Sequence, residues 1–400
     1  MKVLHVLYQS LPNTAGSSTR SHSLIKSQNS ISIDAFAITS PIQKPTKDSC
    51  RLTSELIDGI IYNRSYFYNG LCVGKGGYFH KFLKLVLWPL FTLRLLFICF
   101  KSRPNILHAH SMFYCCFSSL IVGKLLSIPV VYEIRSRWEL NPHAKSSYFK
   151  RLVAGYCEMI SCKNASSVVV ISKGLASYVE DISGRAPLIV RNGILKEHVF
   201  SERDIEIKYE NIYRKIRFGY VGSVINLEGL DFVLEALHQL KQDGYLVDFY
   251  IYGDGSELEK LKQMSNEYKL NVNFMGKVPY ESIKDAYSNL DVVINFRRDS
   301  LISHTVTPLK PLEAMANGCV VICSNVAGMI EITEGERNVY VVPADDIKHL
   351  SDCIKSLCFV SDIDMSKIKS SLAFIMNERT WESNAKAYGE LYKSLIEKNS

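Results

Sequence analysis

The feature that most constrains this chain is an alternation of strand and helix patterns that runs its course twice. Short runs rich in Val, Ile and aromatic residues recur at 3–8, 33–39, 106–110, 130–134, 167–171 and 188–191, with longer helix-patterned stretches between them. A second series follows at 217–222, 247–252, 272–275, 291–296, 320–324 and 339–342, with helical patterns such as 229–240 and 256–268. Strands separated by helices return in parallel, and a parallel sheet is covered by helices on both faces. The series restarts across 196–215 (KEHVFSERDIEIKYENIYRK), which is polar and carries no sustained apolar period. The expected architecture is therefore α/β, two doubly wound, Rossmann-like domains facing a cleft, divided at 197/198. In such sheets ligands bind beyond the carboxyl ends of the strands.

Composition narrows the function. At 400 residues the chain is long enough for two to three domains, and 47% hydrophobic with 22% charged residues excludes disorder and fibrous repeats. The net charge of +7 suits an anionic ligand or a membrane surface and is too small to argue for nucleic acid. The eleven cysteines include no C-x-x-C and no zinc-like spacing, so the expected compartment is reducing and cytoplasmic. MKVLHVLYQSLP reads as a first strand and not as a cleavable leader. The segment 82–100 (FLKLVLWPLFTLRLLFICF) is nearly all apolar, but Lys84, Pro89 and Arg94 interrupt it. A buried helix is expected there. Contact with the inner-membrane surface is the alternative, supported by Lys81, Lys84, Arg94 and Lys101.

Chemistry-bearing residues gather at the strand ends. After the first strand, Gly16, Ser17, Ser18 and Thr19 precede a helix and would let backbone N–H groups approach an anion, though no G-x-G-x-x-G is present. In RPNILHAHS, period two sets His108 and His110 on one face of a strand, with His110 and Ser111 at its rim. Arg135, Arg137 and Glu139 follow the next strand, as a site or as a solvated cluster. Glycine turns fall at Gly222–Ser223 and in YGDGSE around Gly253, and Asn192–Gly193 reads as a hinge. The densest stretch is 295–331, NFRRDSLISHTVTPLKPLEAMANGCVVICSNVAGMIE. Thr307 reads as an N-cap, Pro308 as the first helical residue and Gly318 as the stop. Lys310 in a first turn opposes the helix dipole unless it faces a bound anion, and Glu313 shares its helix face. With Arg298, Lys310 would meet a diphosphate while Glu313 accepts from hydroxyls.

The order HAHS, VRNG, YVGS…EGL, YGDGSE, G-K-V at 276–278, and TPLKPLEAMANG followed by SNVAGMIE resembles the retaining glycosyltransferases of family 4, of GT-B fold, and in particular those of bacterial polysaccharide biosynthesis. The resemblance covers nearly the whole chain. It implies a nucleotide-sugar donor held by residues 198–375, an acceptor held by 1–197, and a C-terminal helix, 376–400, packing back toward the first domain. It implies sugar transfer from a nucleotide-diphosphate sugar, UDP or GDP before other bases, to a lipid-linked or polysaccharide acceptor. Retention at the sugar, no cofactor and no metal are implied with it, while the peripheral place on the inner membrane rests on the segment 82–100 alone. His110 resembles the histidine beside the reacting sugar, and Gly16 with Ser17 the loop that reaches the diphosphate. Glu313 matches the second Glu of the family's Glu-x7-Glu. Gly222, Ser223, Gly253, Val278, His304, Thr305, Val306, Thr307, Pro308 and Leu309 fall at the donor's edge. The chain departs from the pattern in two places. Thr305, beside His304, stands where the first Glu belongs, and Ser223 and Glu228 stand where many members carry Arg and Lys. The first departure gives the alternative expectation of a non-catalytic GT-B partner in a polysaccharide assembly complex.

Overall fold

In the computed structural model, which describes residues 1–13, 16–43, 53–65, 78–137, 148–211, 213–279 and 282–399, the alternation is built as two sheets. The chain divides into one unit of Met1–Arg191 with Trp381–Ser400 and a second of Asn192–Thr380.

The first unit holds β1 (Lys2–Leu7), β2 (Asp34–Thr39), β3 (Ser54–Ile57), β4 (Ile60–Asn63), β5 (Ile106–His110), β6 (Val130–Ile134), β7 (Ser167–Val170) and β8 (Leu188–Ile189), in the order β3-β4-β2-β1-β5-β6-β7-β8. Only β3 with β4 is antiparallel. That hairpin is absent from the sequence expectation, yet its signal is present: SELIDGIIYN places Asp-Gly between two apolar runs. Asp58 and Gly59, at φ 48° and 77°, make the two-residue turn. β1 pairs with β2 on one side and β5 on the other, so the loops after β1 and β5 diverge and leave a crevice at their carboxyl ends.

The second unit is an all-parallel sheet of β9 (Phe218–Val221), β10 (Phe249–Tyr252), β11 (Val272–Gly276), β12 (Val292–Asn295), β13 (Val320–Ser324) and β14 (Tyr340–Val342), in the order β11-β10-β9-β12-β13-β14. Every residue of β9, β12 and β13 is buried, which is why these strands read as continuous apolar runs. Each buried Val or Ile contributes about 1.5–3 kcal/mol. Here the order reverses between β9 and β12, placing the crevice at their ends.

The unit boundaries differ from the expected 197/198 and 375/376 because backbone bonds hold 192–200 to the second unit. The N–H of Ile194 donates to the carbonyl of Arg379 at 2.7 Å and that of Phe200 to Ala316 at 2.8 Å. From Trp381 onward the chain belongs to the first unit: the helix Trp381–Asn399 packs on the helix Gly16–Ser30, with the Arg20 guanidinium 4.8 Å from the Trp381 ring.

The apolar segment forms the helix Tyr78–Ser102, with Pro89 inside it. Phe91, Leu95, Ile98 and Cys99 are buried, whereas Leu90, Leu93, Phe97 and Phe100 are exposed, Leu93 and Phe97 by 62% and 66%. So only one side is a buried helix, and the other is an apolar face in solvent. The side chains of Lys81 and Lys84, like all of Glu139, lie outside the described residues. Among the described residues no helix is long and apolar enough to cross a membrane. The nine described cysteines are free, and burial pushes the thiols of Cys99, Cys115 and Cys323 up to about 12, which makes them inert.

Candidate functional site

In the second unit the crevice is closed by the helix Lys310–Ala316, which starts two residues later than the sequence suggests. Leu309 precedes it without a side-chain cap, and Pro311 occupies the first turn. Thr307 lies two residues before Leu309 and is not the cap; its carbonyl accepts from Asn192 Nδ2 at 2.9 Å. Asn317 and Gly318, at φ 63°, end the helix as expected.

Lys310 turns to the end of β9. Its Nζ lies 2.9 Å from Glu228 Oε1 and donates to the Tyr220 hydroxyl at 2.5 Å. Gly222 makes this approach feasible: at φ 147°, a Cβ there would stand 2.3 Å from Lys310 Cε. Gly253 is needed beside it, since a Cβ would fall 1.8 Å from the Gly222 carbonyl oxygen. Ser223 is exposed, and its carbonyl accepts from the Tyr220 hydroxyl at 2.8 Å.

Glu228 also holds Arg297, at 3.1 Å from Nη2. The carboxylate is almost wholly buried. Burial alone would push its pKa up, but Arg297 and Lys310 outweigh that and hold it at about 2. At Lys310 the balance falls the other way, burial lowering the amine against the pull of Glu228. Two cationic side chains thus share one carboxylate, and one positive charge is left over. Arg298 belongs to another cluster: it pairs with Asp231, donates to the Asn226 carbonyl at 3.0 Å and stacks 4.1 Å from the Phe232 ring. Asp231 also holds Lys260, at 2.9 Å. Arg297 and Glu228 are thus the residues that join Lys310. The sequence marks Arg298 and not its neighbour Arg297, and marks Glu228 only as a departure from the family pattern.

Glu313 accepts from the Tyr287 hydroxyl at 3.1 Å, and burial pushes its carboxyl above the ordinary range. Thr305 is buried in the short helix Leu301–Thr305, its hydroxyl donating to the Leu301 carbonyl at 2.7 Å. His304 is half-exposed. Its Nδ1 accepts from the Ala327 N–H at 3.1 Å, so its Nε2 donates to Asp299 at 2.8 Å. It thereby fixes the start of the helix Ala327–Thr333. The Val306 carbonyl accepts from Arg297 at 3.3 Å; Pro308 is buried, Leu309 half-buried, and Val278 packs on the core around Leu312.

In the first unit a pocket of about 230 Å³ opens at the crevice, lined among others by Tyr8, Ser17, Ser21, His110, Ser111 and Arg135. Gly16 opens the helix behind Ser17, and a Cβ there would meet nothing within 4 Å. Arg137 stacks 4.2 Å from the Tyr178 ring. Beneath the pocket, Glu133 is fully buried and accepts from Arg135 Nε at 2.6 Å, Arg20 Nε at 3.0 Å and the Tyr388 hydroxyl at 2.5 Å. Burial opposes its ionisation, but Arg135 and Arg20 hold it well below the carboxylate range. His5, His108 and His110 lie together here and, among the described residues, are the one cluster placed to hold a metal ion. Five of their six ring nitrogens are engaged elsewhere: His5 bonds His110 at 2.8 Å and Gln28 at 2.7 Å, His110 also bonds Arg135, and His108 Nδ1 bonds Tyr392 at 2.7 Å, while His108 Nε2 lies 3.3 Å from Glu133 without a full hydrogen bond. A metal would have to break these bonds.

The pattern of a family described as glycosyl transferases group 1 matches residues 215–358, and that of glycosyltransferase family 4 matches residues 62–195. A putative colanic acid biosynthesis glycosyltransferase, WcaL, of Salmonella typhimurium is 25% identical over 186 residues, 44% of each chain. The alpha-D-kanosaminyltransferase of Streptomyces kanamyceticus is 22% identical over 60% of this chain and 64% of its own. The chain thus spans less than two thirds of the length of these curated relatives. Among solved structures, sucrose-phosphate synthase of Thermosynechococcus elongatus superposes with a TM-score of 0.78 at 17% identity over 99% of both chains. HepE of Anabaena, in complex with UDP, gives 0.70 at 15% identity over 98% of this chain and 100% of its own. At these identities the likeness is one of fold.

Proposed function

This chain belongs to the family 4 glycosyltransferases of GT-B fold, and we propose that it transfers a sugar, with retention, from a nucleotide-diphosphate sugar to a lipid-linked or polysaccharide acceptor. The observation that carries this reading is the cluster at the ends of β9 and β12, where Lys310 and Arg297 share Glu228 and leave a surplus positive charge. The bond from the sugar's anomeric carbon to the diphosphate breaks, and the acceptor oxygen bonds that carbon. The acceptor proton passes to the leaving diphosphate. Negative charge grows on the diphosphate in the transition state, and preorganised cations stabilise it there without a metal. Glu313, held by Tyr287, accepts from ribose hydroxyls. The pocket of the first unit, walled by serine hydroxyls and His110, takes the acceptor hydroxyl. A role in cell-surface polysaccharide synthesis is supported by the relative named for colanic acid biosynthesis.

The test is thermal stabilisation by UDP-, GDP-, ADP- and dTDP-sugars, repeated with Glu313→Ala. Ligand at about 100 times its dissociation constant adds roughly 2.7 kcal/mol. One nucleotide class should stabilise the chain and lose its effect in the variant. Lys310→Ala should lower turnover by about 10²–10³, the scale of one lost charge contact in a transition state. Binding without donor turnover would overturn transfer in favour of the non-catalytic partner that Thr305 raised.

A further inference from the structure

The donor and acceptor roles in the buried cluster of the first unit can be assigned without ambiguity from one end. A guanidinium only donates, so the bond between Arg135 Nη2 and His110 makes His110 Nδ1 an acceptor. A neutral His110 then carries its proton on Nε2 and donates to His5 Nδ1 at 2.8 Å. His5 in turn carries its proton on Nε2 and donates to Gln28 Oε1 at 2.7 Å, an atom that only accepts. The amide nitrogen of Gln28 donates to the Tyr392 hydroxyl at 3.1 Å, and that hydroxyl donates to His108 Nδ1 at 2.7 Å. This leaves the His108 proton on Nε2, 3.3 Å from Glu133 Oε2 but not aligned as a full hydrogen bond. Glu133 accepts from Arg135, where the sequence of donors began. The seven groups run in one direction, from the arginine to the carboxylate.

We infer that Arg135, backed by Glu133, locks His110 in the neutral Nε2–H form with Nδ1 closed. The histidine on the pocket wall is then a fixed post and not a proton acceptor. Arg135, Glu133 and His5 are positioning residues for it. The charged and titratable groups around His110 are Arg135 and Glu133 from β6, His108 from β5, His5 from β1, Arg20 from the helix Gly16–Ser30, and Tyr388 and Tyr392 from the C-terminal helix. Protonating Nδ1 would set two donors, His110 and Arg135, face to face, and burial disfavours the imidazolium further. Only the consequence for rate rests on the proposed function. The protonation state is a property of the free protein.

The experiment follows the imidazole nitrogens of the full chain labelled with 15N-histidine, from pH 6.0 to 8.5, with His110 assigned by its loss in His110→Gln. The expected result is one unchanging Nε2–H pattern for His110 across the range. A midpoint inside it, or a proton on Nδ1, overturns the inference. Arg135→Met should bring His110 into titration; if that variant does not fold, the wild-type spectrum alone decides. The transfer assay is the independent arm. The His110→Gln amide can accept from Arg135 and donate to His5 but cannot take up a proton, so it should turn over at least about tenfold faster than His110→Leu. Loss of a general base costs about 10²–10⁴, so equal losses in both variants would restore His110 as a proton acceptor. If neither the variants nor the wild type turns over donor, the proposed function fails and the spectra still decide the protonation state.

Discussion

At the scale of single residues, the charge that matters most at the ends of β9 and β12 is one the family pattern would not place there. Glu228 stands where many members carry a cation, and it binds the two cations that remain, Lys310 and Arg297. A lone buried carboxylate would be costly, but two cations at about 3 Å hold this one ionised. Removing it strands both. Glu228→Ala should therefore destabilise the second unit by about 3–5 kcal/mol, the scale of breaking a buried pair, as read by chemical denaturation. A loss below 1 kcal/mol would mean that solvent takes over its role. The sequence made Lys310 legible because a cation in a first helical turn needs an explanation. It left the partner open, because Lys310 and Glu228 are brought together only when β9 and the helix Lys310–Ala316 close on one another across Gly222. For the same reason Glu313, three residues from Lys310, turns to Tyr287 and not to that lysine.

At the scale of elements, the helix Tyr78–Ser102 shows what periodicity can and cannot say. From 85 to 100 its residues are apolar on every side but for Arg94, so no stripe in the sequence marks which side is covered. The structure covers Phe91, Leu95, Ile98 and Cys99 and leaves Leu90, Leu93, Phe97 and Phe100 in solvent. The neighbouring helix Phe113–Leu126 exposes Ile121 and Leu125, and Lys101 and Lys124 are exposed at the last turns of the two helices. An apolar face edged by lysines fits an anionic lipid surface. The chain should co-sediment with vesicles of anionic lipid, and Phe97→Glu with Leu93→Glu should abolish this while leaving the melting behaviour within a few degrees. Equal sedimentation of variant and parent would remove the membrane from the account. The β3–β4 hairpin teaches the opposite lesson, since its Asp-Gly turn was in plain view in the sequence. Alternation alone does not reveal it, because an antiparallel hairpin breaks the rhythm of parallel strand and helix.

At the scale of the whole molecule, the two doubly wound sheets were legible because buried parallel strands leave unbroken apolar runs. The exchange of the C-terminal helix into the first unit was not legible from pattern: its aromatic spacing says that it packs and does not say on what. Its partners are polar, Tyr388 on Glu133 and Tyr392 on His108 and Gln28. That choice gives the two units different responses to acid. In the first, burial lowers His5, His22, His108 and His110, His5 and His110 by much, so the folded state disfavours their protonation. A group lowered on folding binds its proton more readily unfolded, so stability falls as pH drops below the unfolded value of about 6.5. Each such histidine contributes up to about 1.4 kcal/mol per pH unit. In the second unit Glu228 is held at about 2, so its contribution is present above an unfolded value of about 4.3 and is lost only below it. Glu313, raised by burial, works in the opposite sense and favours the folded state as pH falls. Between about pH 6.5 and 4.5 the first unit should weaken while the second holds. Calorimetry across that range should resolve one unfolding transition moving down by many degrees and another nearly still. Tyr392→Phe should shift only the moving one, because it orphans His108 and Gln28 within the first unit. Two transitions falling in parallel would show that the units do not unfold independently.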